Sequence, residues 1–455
     1  MFSRKVLGLT TFAFAIAALA APSTAHASKA RAEALTAGAH YGVDRVNVQH
    51  FPTALYRNQN MVFGELGLWS DGTTSDFDTP FAPLQLEDSD RSLGLYLGNL
   101  WEGRAGVFGF ELNENGNPLS PTMGSEFVGR SNNESIALFW AQQFNSLTLG
   151  LEFNRMYSKE EDKTTGNEFS NAPYNFIGPV APGMGNVDSW QDFAEAAFAF
   201  GLSPWNSTGF GAGVAFESQS SSGNTRLLEF SAEARKYTTK QEDITNQLTL
   251  ENDNSISFGL NGRAMLDANQ SLTWVPYVGF SMTDLGLQFN DVVTPANNST
   301  FKNEMTNFEG GIAGNWSLRQ NDLLVAGLAY RSSKIEWEGG GDTLTVTYSQ
   351  PLYLFAGFEG NAFRWLTLRF GASKPVIANL KVEDPVGATD YGPTTERNIS
   401  DSPFAFNLGA GFHMGNFTLD AVMNQDYTFS GGPLAAAGDN ATIYPFSRLS
   451  LTYRY

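Results

Sequence analysis

The stretch Pro445-Phe446-Ser447-Arg448-Leu449-Ser450-Leu451-Thr452-Tyr453-Arg454-Tyr455 decides how this chain is read. In an extended segment Leu449, Leu451, Tyr453 and Tyr455 share one face, and Arg448, Ser450, Thr452 and Arg454 share the other. A strand with one apolar and one charged face separates oil from water. The same period of two recurs upstream. Leu147, Leu149, Leu151 and Phe153 alternate with Thr148, Gly150, Glu152 and Asn154. Phe210, Ala212, Val214 and Phe216 alternate with Gly209, Gly211, Gly213 and Ala215. Leu366, Leu368 and Phe370 oppose Thr367, Arg369 and Gly371, and the run from Phe404 to Met414 opposes Asn407, Gly409, Gly411 and His413. About ten residues of such alternation is what a tilted strand needs to cross a bilayer.

Composition agrees. The chain of 455 residues holds 36 Phe, 15 Tyr, 9 Trp and 46 Gly, with no Cys. Beyond residue 27 no apolar run approaches about 18 residues, so spanning helices are excluded. Many aromatics and glycines with modest overall hydropathy fit a membrane barrel, where every second residue meets lipid. Arg4 and Lys5, the apolar run Val6 to Ala21, and Ala25-His26-Ala27 together predict a signal peptide over residues 1–27. The formal charge is −19, and −21 without Arg4 and Lys5, which excludes nucleic acid as a partner.

From Met61 onward, pairs of alternating segments are joined by short links near Leu100–Gly103, Phe144–Asn145, Pro204–Ser207, Asp267–Gln270, Arg319–Asp322, Asn361–Phe363 and Gly415–Asn416. Long polar segments separate the pairs, at 70–90, 158–188, 217–254, 283–304, 377–401 and 430–442. Seven hairpins with a first strand at 61–69 and a last at 445–455 predict sixteen strands, with 225–237 undecided and fourteen or eighteen as alternatives. The fold class is all-β: a transmembrane antiparallel up-and-down barrel, with short turns on one side and long loops on the other. Trp69, Trp101, Trp140, Trp205, Trp274, Trp316, Trp337 and Trp365 lie near strand ends and are girdle candidates.

Alternation places Glu111, Glu152, Asn154, Glu195, Asn261, Arg263, Glu309, Asn315, Arg369, Asn407, His413, Asp420, Arg448 and Arg454 inside. Both signs of charge occur there, which fits a polar, solvated or plugged lumen whose charges pair with one another. No metal-ligand spacing and no phosphate loop is present, so no cofactor is expected. His413 has no nucleophile signature beside it, and the chain is not expected to be an enzyme. The acidic run Asp71, Asp76, Asp78, Glu87, Asp88 and Asp90 and the cluster Glu160, Glu161 and Asp162 suit divalent cations bridging to lipopolysaccharide, or plain solvation. Residues 172–185 are apolar and uncharged, as a constriction or a landing surface for an apolar solute would be.

Two stretches resemble known families. The last strand, with Leu449, Leu451, Tyr453 and the terminal aromatic Tyr455, resembles the C-terminal insertion signal of Gram-negative outer-membrane proteins. That resemblance implies the barrel-assembly machinery as a partner and outer-membrane lipid as surroundings. Before the first strand stand Arg31-Ala32-Glu33-Ala34-Leu35, Gly38, Asp44, Asn47-Val48 and Phe51-Pro52-Thr53-Ala54-Leu55. This order resembles the start of the long-chain fatty-acid transporter (FadL) family, with Phe51-Pro52 where that family has Asn-Pro. Gln350-Pro351, read as opening a strand over 352–358, is also similar to the family's later hairpins. The resemblance implies that residues 28–60 form a plug inside a barrel spanning 61–455, with Asn47, Phe51, Pro52 and Leu55 at the gate. It also implies passive passage of small-molecule solutes of hydrophobic character. A general diffusion porin and a non-transporting surface barrel are the alternatives.

Overall fold

The structure is a computed structural model and describes residues 28–35, 41–42, 45–67, 91–98, 105–115, 133–157, 206–219, 225–238, 240–243, 248–293, 295, 298–319, 322–339, 342–383, 395–398, 404–423 and 446–455. The signal segment, both acidic clusters, residues 172–185, Glu195, Trp69, Trp101 and Trp205 lie outside these residues.

Sixteen strands close into one antiparallel barrel. The first seven are β1 (Met61–Gly67), β2 (Arg91–Leu97), β3 (Val107–Asn115), β4 (Asn133–Phe144), β5 (Leu147–Tyr157), β6 (Asn206–Gln219) and β7 (Thr225–Thr238). Two short strands, β8 (Lys240–Asp243) and β9 (Leu248–Asn252), pair with each other, and β9 continues along the far end of β11. The wall resumes with β10 (Ile256–Asn269), β11 (Leu272–Asp291), β12 (Ser299–Arg319), β13 (Asp322–Gly339), β14 (Asp342–Phe363) and β15 (Leu366–Glu383). A short β16 (Thr395–Asn398) lies along β15, and β17 (Ala405–Met414), β18 (Phe417–Met423) and β19 (Phe446–Arg454) complete the circle. Closure is at β1: Glu65 stands opposite Ser92 of β2 and Ser450 of β19. The ring leaves no open edge, as a bilayer requires.

The strand number agrees with the sequence, but one hairpin is placed differently. Asn206 and Ser207 are already in β6 and pair with Thr238 and Tyr237. The short link is therefore 220–224, not Pro204–Ser207, and the undecided region 225–237 is the wall strand β7, paired with both β6 and β10. Its inward positions Glu229, Glu233 and Arg235 hide the apolar alternation expected of a wall strand. The segments 283–304 and 377–401 are also partly strand, because β11, β12 and β15 continue past the membrane. Gln350-Pro351 does not open a strand. It sits inside β14 at a register shift against β15, where a missing N–H is tolerated.

The tight turns follow from local chemistry. Phe144 pairs with Leu147 and Met414 with Phe417, leaving the two-residue links Asn145-Ser146 and Gly415-Asn416. Asn145 (φ 56°) and Gly415 (φ 63°) take the left-handed conformation that two-residue hairpins need.

The outer face marks the bilayer. On β12 the outward residues Leu318, Trp316, Ile312 and Phe308 form an apolar band, and Thr306, Glu304 and Lys302 follow beyond it. That band spans eleven positions, close to the height of a hydrocarbon core of about 25–30 Å on tilted strands. β14 has 22 residues. At about 3.4 Å per residue and ~40° tilt it rises roughly 55 Å, so β11–β15 stand well clear of the membrane on the loop side. Their outward faces there carry pairs such as Lys302–Asp284 (3.3 Å) and Lys334–Glu336 (2.6 Å). At the turn-side rim Trp274 and Trp316 meet edge to face, and Trp365 stacks between Phe363 and Phe412. Interfacial aromatic rings of this kind match the girdle expected there.

Candidate functional site

The site is built from residues 28–60 and the inner wall they touch. Helix α1 (Lys29–Ala34) has only six residues, too few to be stable alone. Ser28 caps it: its Oγ accepts from the Arg31 N–H (3.1 Å) and donates to Asp420 Oδ2 (2.7 Å). Ala30 and Ala34 pack on Val422, and a side chain at Gly409 would put its Cβ 2.5 Å from that of Ala34. Small residues on both partners let the helix approach the wall of β17 and β18 closely.

Charge then fixes it. Arg31 donates to both oxygens of Glu359 (2.5 and 2.9 Å). Arg369 bridges Glu359 (2.6 Å) and Asp420 (2.7 Å). Glu33, the acid of the helix, accepts from Arg448 (2.8 Å) and Ser447 (2.9 Å), while its backbone oxygen accepts from Asn407 (2.8 Å). All members of the Arg31–Glu359–Arg369–Asp420 chain are buried. Buried ions survive only when paired in this way, and removing one strands the rest.

Further along, Arg45 pairs with Glu65, lies 3.7 Å from Glu111, and stands 3.6 Å over the Phe63 ring. Burial alone would lower the Arg45 pKa. The fields of Glu65, Tyr96 and Glu111 outweigh it and hold the pKa above the ordinary arginine value, so the guanidinium stays charged. Tyr41 crosses to the other side, packing on Phe355 (4.8 Å) and Tyr277 (5.9 Å), and its backbone oxygen accepts from Asn315 (2.8 Å).

Pro52 opens a 3-10 helix over Pro52–Arg57, a position that suits its missing N–H and fixed φ. The helix presses on a bare patch of wall. A Cβ at Gly150 would lie 2.5 Å from the Pro52 carbonyl carbon and from the Thr53 nitrogen. Thr53 (2.9 Å) and Arg57 both donate to Glu229, which also accepts from Arg263 (2.6 Å). Arg263 lies 4.5 Å over the buried Phe51 ring and donates to the Gly42 carbonyl (2.8 Å). Leu35, Tyr41, Val48, Phe51, Ala54 and Leu55 share one buried apolar cluster with wall residues from Met61 to Phe355.

Above the segment, toward the loops, the inner wall is polar: Glu152 with Asn154 (3.0 Å), Asn307 with Ser281 (3.3 Å), and Glu309 with Arg331 (3.3 Å), which also covers Tyr353. Higher still it becomes apolar. Leu285, Leu287, Ile335, Val346, Ala378 and Leu380 face inward and are buried.

The structure therefore places Glu111, Glu152, Arg263, Glu309, Arg369, Asn407, His413, Asp420 and Arg448 on the inner face. Of these, Glu111, Arg263, Asn407, Asp420 and Arg448 touch residues 28–60 in the contacts above, and Arg369 is joined to the segment through Glu359 and Asp420. His413 sits between Thr367 (2.9 Å) and Thr418 (3.4 Å) beside a turn. In the N-terminal segment, Phe51, Pro52 and Leu55 pack on the wall, whereas Asn47 donates within the segment to the Gly42 carbonyl (2.7 Å). On β19, Leu451 and Tyr455 are exposed and Leu449 and Tyr453 half-buried, while Ser450 and Thr452 are buried on the opposite face. The sequence did not single out the segment's Arg45 and Arg57 or the wall's Glu65, Glu229 and Glu359, and it gave Arg31 only as part of the family-like run. A signal was present: residues 28–60 carry four basic and two acidic side chains in a chain of net charge −19.

No protein-family model and no curated protein matches the chain. Among solved structures it is similar to a FadL homologue from Pseudomonas aeruginosa, at 10% identity and a TM-score of 0.40, over 95% of this chain and 100% of that one. It is also similar to the copper transporter OprC, at 11% identity and a TM-score of 0.39, over 71% of this chain and 52% of that one. The siderophore receptor PirA from Acinetobacter baumannii matches at 8% identity and a TM-score of 0.32, over 87% of this chain and 80% of that one. This chain thus spans about half the length of the copper transporter. At such identities the likeness concerns the barrel fold alone.

Proposed function

We propose that this protein is a passive outer-membrane channel for hydrophobic molecules, with residues 28–60 acting as a gate inside the lumen. The observation that carries the reading is the apolar inner face on the loop-side ends of β11–β15. A channel for ions or sugars is lined with polar groups along its length. On this reading a solute from the loop side would pass the level of these buried leucine, isoleucine and valine side chains first, then the polar belt, then the segment. Affinity along that route must stay modest, or the solute would not leave. The gating role is supported by how the segment is attached: its arginines reach β1, β7 and β14, and its aromatic rings reach β11 and β14. Those contacts are non-covalent and can be exchanged.

Planar-bilayer currents and liposome swelling, each with and without residues 28–60, test the reading. A gated hydrophobic channel gives no steady large current until the segment is deleted, and swells liposomes with apolar solutes faster than with sugars. Steady large current from the intact chain supports a general diffusion porin instead. No flux from either form supports a surface barrel without transport.

A further inference from the structure

Asn303 of β12 is the odd residue in the apolar end of the barrel. It faces inward directly opposite Leu285, one inward position from Met305, which is itself opposite Ile335. It is 2% exposed, yet neither its amide oxygen nor its amide nitrogen has a hydrogen-bond partner. A buried amide without partners is disfavoured, and a wall of leucine would hold the same shape without that penalty. The inward neighbours of Asn303 on β11–β13 whose side chains are described, Leu285, Leu287, Met305 and Ile335, carry no charge. The lysines and acids of this region, Lys302, Glu304, Lys334 and Glu336, lie on the opposite, outward face of the same strands.

We infer that Asn303 is the polar anchor of a binding site for a neutral amphipathic molecule, one with an apolar body and a single uncharged head that both donates and accepts a hydrogen bond. The amide offers one acceptor and two donor hydrogens, which fit a primary amide or an alcohol. An ionised carboxylate would offer acceptors only, so it would leave the amide oxygen of Asn303 without a donor and would bring a charge beside Leu285, Met305 and Ile335. The head then sets the order of preference, and the apolar neighbours supply most of the affinity. The inference rests on the proposed hydrophobic passage and names its substrate class.

Binding to the full chain in lipid nanodiscs, read by calorimetry with octanamide, octan-1-ol, octane and octanoate at pH 8, tests it. The intact protein is expected to bind octanamide and octanol about tenfold more tightly than octane, with octanoate weakest. Asn303→Leu is expected to erase the preference for the amide while keeping or strengthening octane binding. Asn303→Ser, a smaller change that retains a donor and an acceptor, is expected to keep part of the preference if the leucine variant does not fold. Octanoate binding as well as octanamide, or an unchanged order in Asn303→Leu, overturns the site. A variant that is more heat-stable with the order unchanged makes Asn303 a structural residue and also overturns it. Failure of the transport reading is separable: head-group discrimination without flux leaves the site standing, and flux without discrimination removes the site alone.

Discussion

On the turn side of the barrel the inner wall meets residues 28–60 through buried ions. Glu65, Glu229 and Glu359 receive Arg45, Arg57 and Arg31, and Arg448 receives Glu33. On the loop side the same cylinder turns its polarity inside out, with Leu285, Leu287 and Ile335 within and Lys302, Lys334 and Glu336 outside. Height explains the difference. Where the outer face touches hydrocarbon, the polar residues of each strand must point inward, and they need a partner there. Where the strands rise into water, charges move outward and the interior is free to be apolar. One half holds a segment of the chain by specific pairing, and the other buries apolar side chains within.

The sharpest way to break that contrast is to delete residues 28–60. Glu229 and Glu359 then lose their partners from the segment, and large steady currents are expected in planar bilayers together with lower heat stability of the barrel. Next in size is Arg369→Met. It leaves Glu359 and Asp420 buried with one cation fewer, and a loss of about 3–5 kcal/mol is expected in denaturant unfolding from detergent. Gly150→Val drives a side chain into the Pro52–Thr53 backbone. It is expected to dislodge the segment at a cost of about 1–3 kcal/mol, visible as faster proteolysis within residues 28–60. Smallest is Lys334→Ala. Its pair with Glu336 is exposed on the outer face above the membrane, and a change of at most about 1 kcal/mol is expected. Equal effects from Arg369→Met and Lys334→Ala would show that the inner ions are as solvated as the outer ones and would dissolve the contrast.

Most of the barrel was legible because lipid enforces a strict code. Outward positions must be apolar, so Leu147 to Phe153 or Leu449 to Tyr455 cannot be mistaken for loop. The strand β7 was harder. Its inward Glu229, Glu233 and Arg235 are polar for reasons that lie elsewhere in the chain, and only the pairing of Glu229 with Arg57 and Arg263 explains why such a strand is stable. The strand tips of β11, β12 and β15 were hidden for a related reason, since outward charges above the membrane read as loop. In the segment, Phe51 and Pro52 stood out through the family resemblance. Arg45 and Arg57 did not, because a basic side chain declares its importance only when the carboxylate it meets is known. Asn303 gives no sequence signal at all; its oddity is purely one of surroundings.

The account turns on whether residues 28–60 occupy the path through the cylinder. Single-channel recording of the chain with and without that segment, in the same lipid and salt, is the direct test. The account predicts a quiet bilayer with the intact protein and large steady openings once the segment is gone. Large steady openings from the intact protein, unchanged by the deletion, would contradict it.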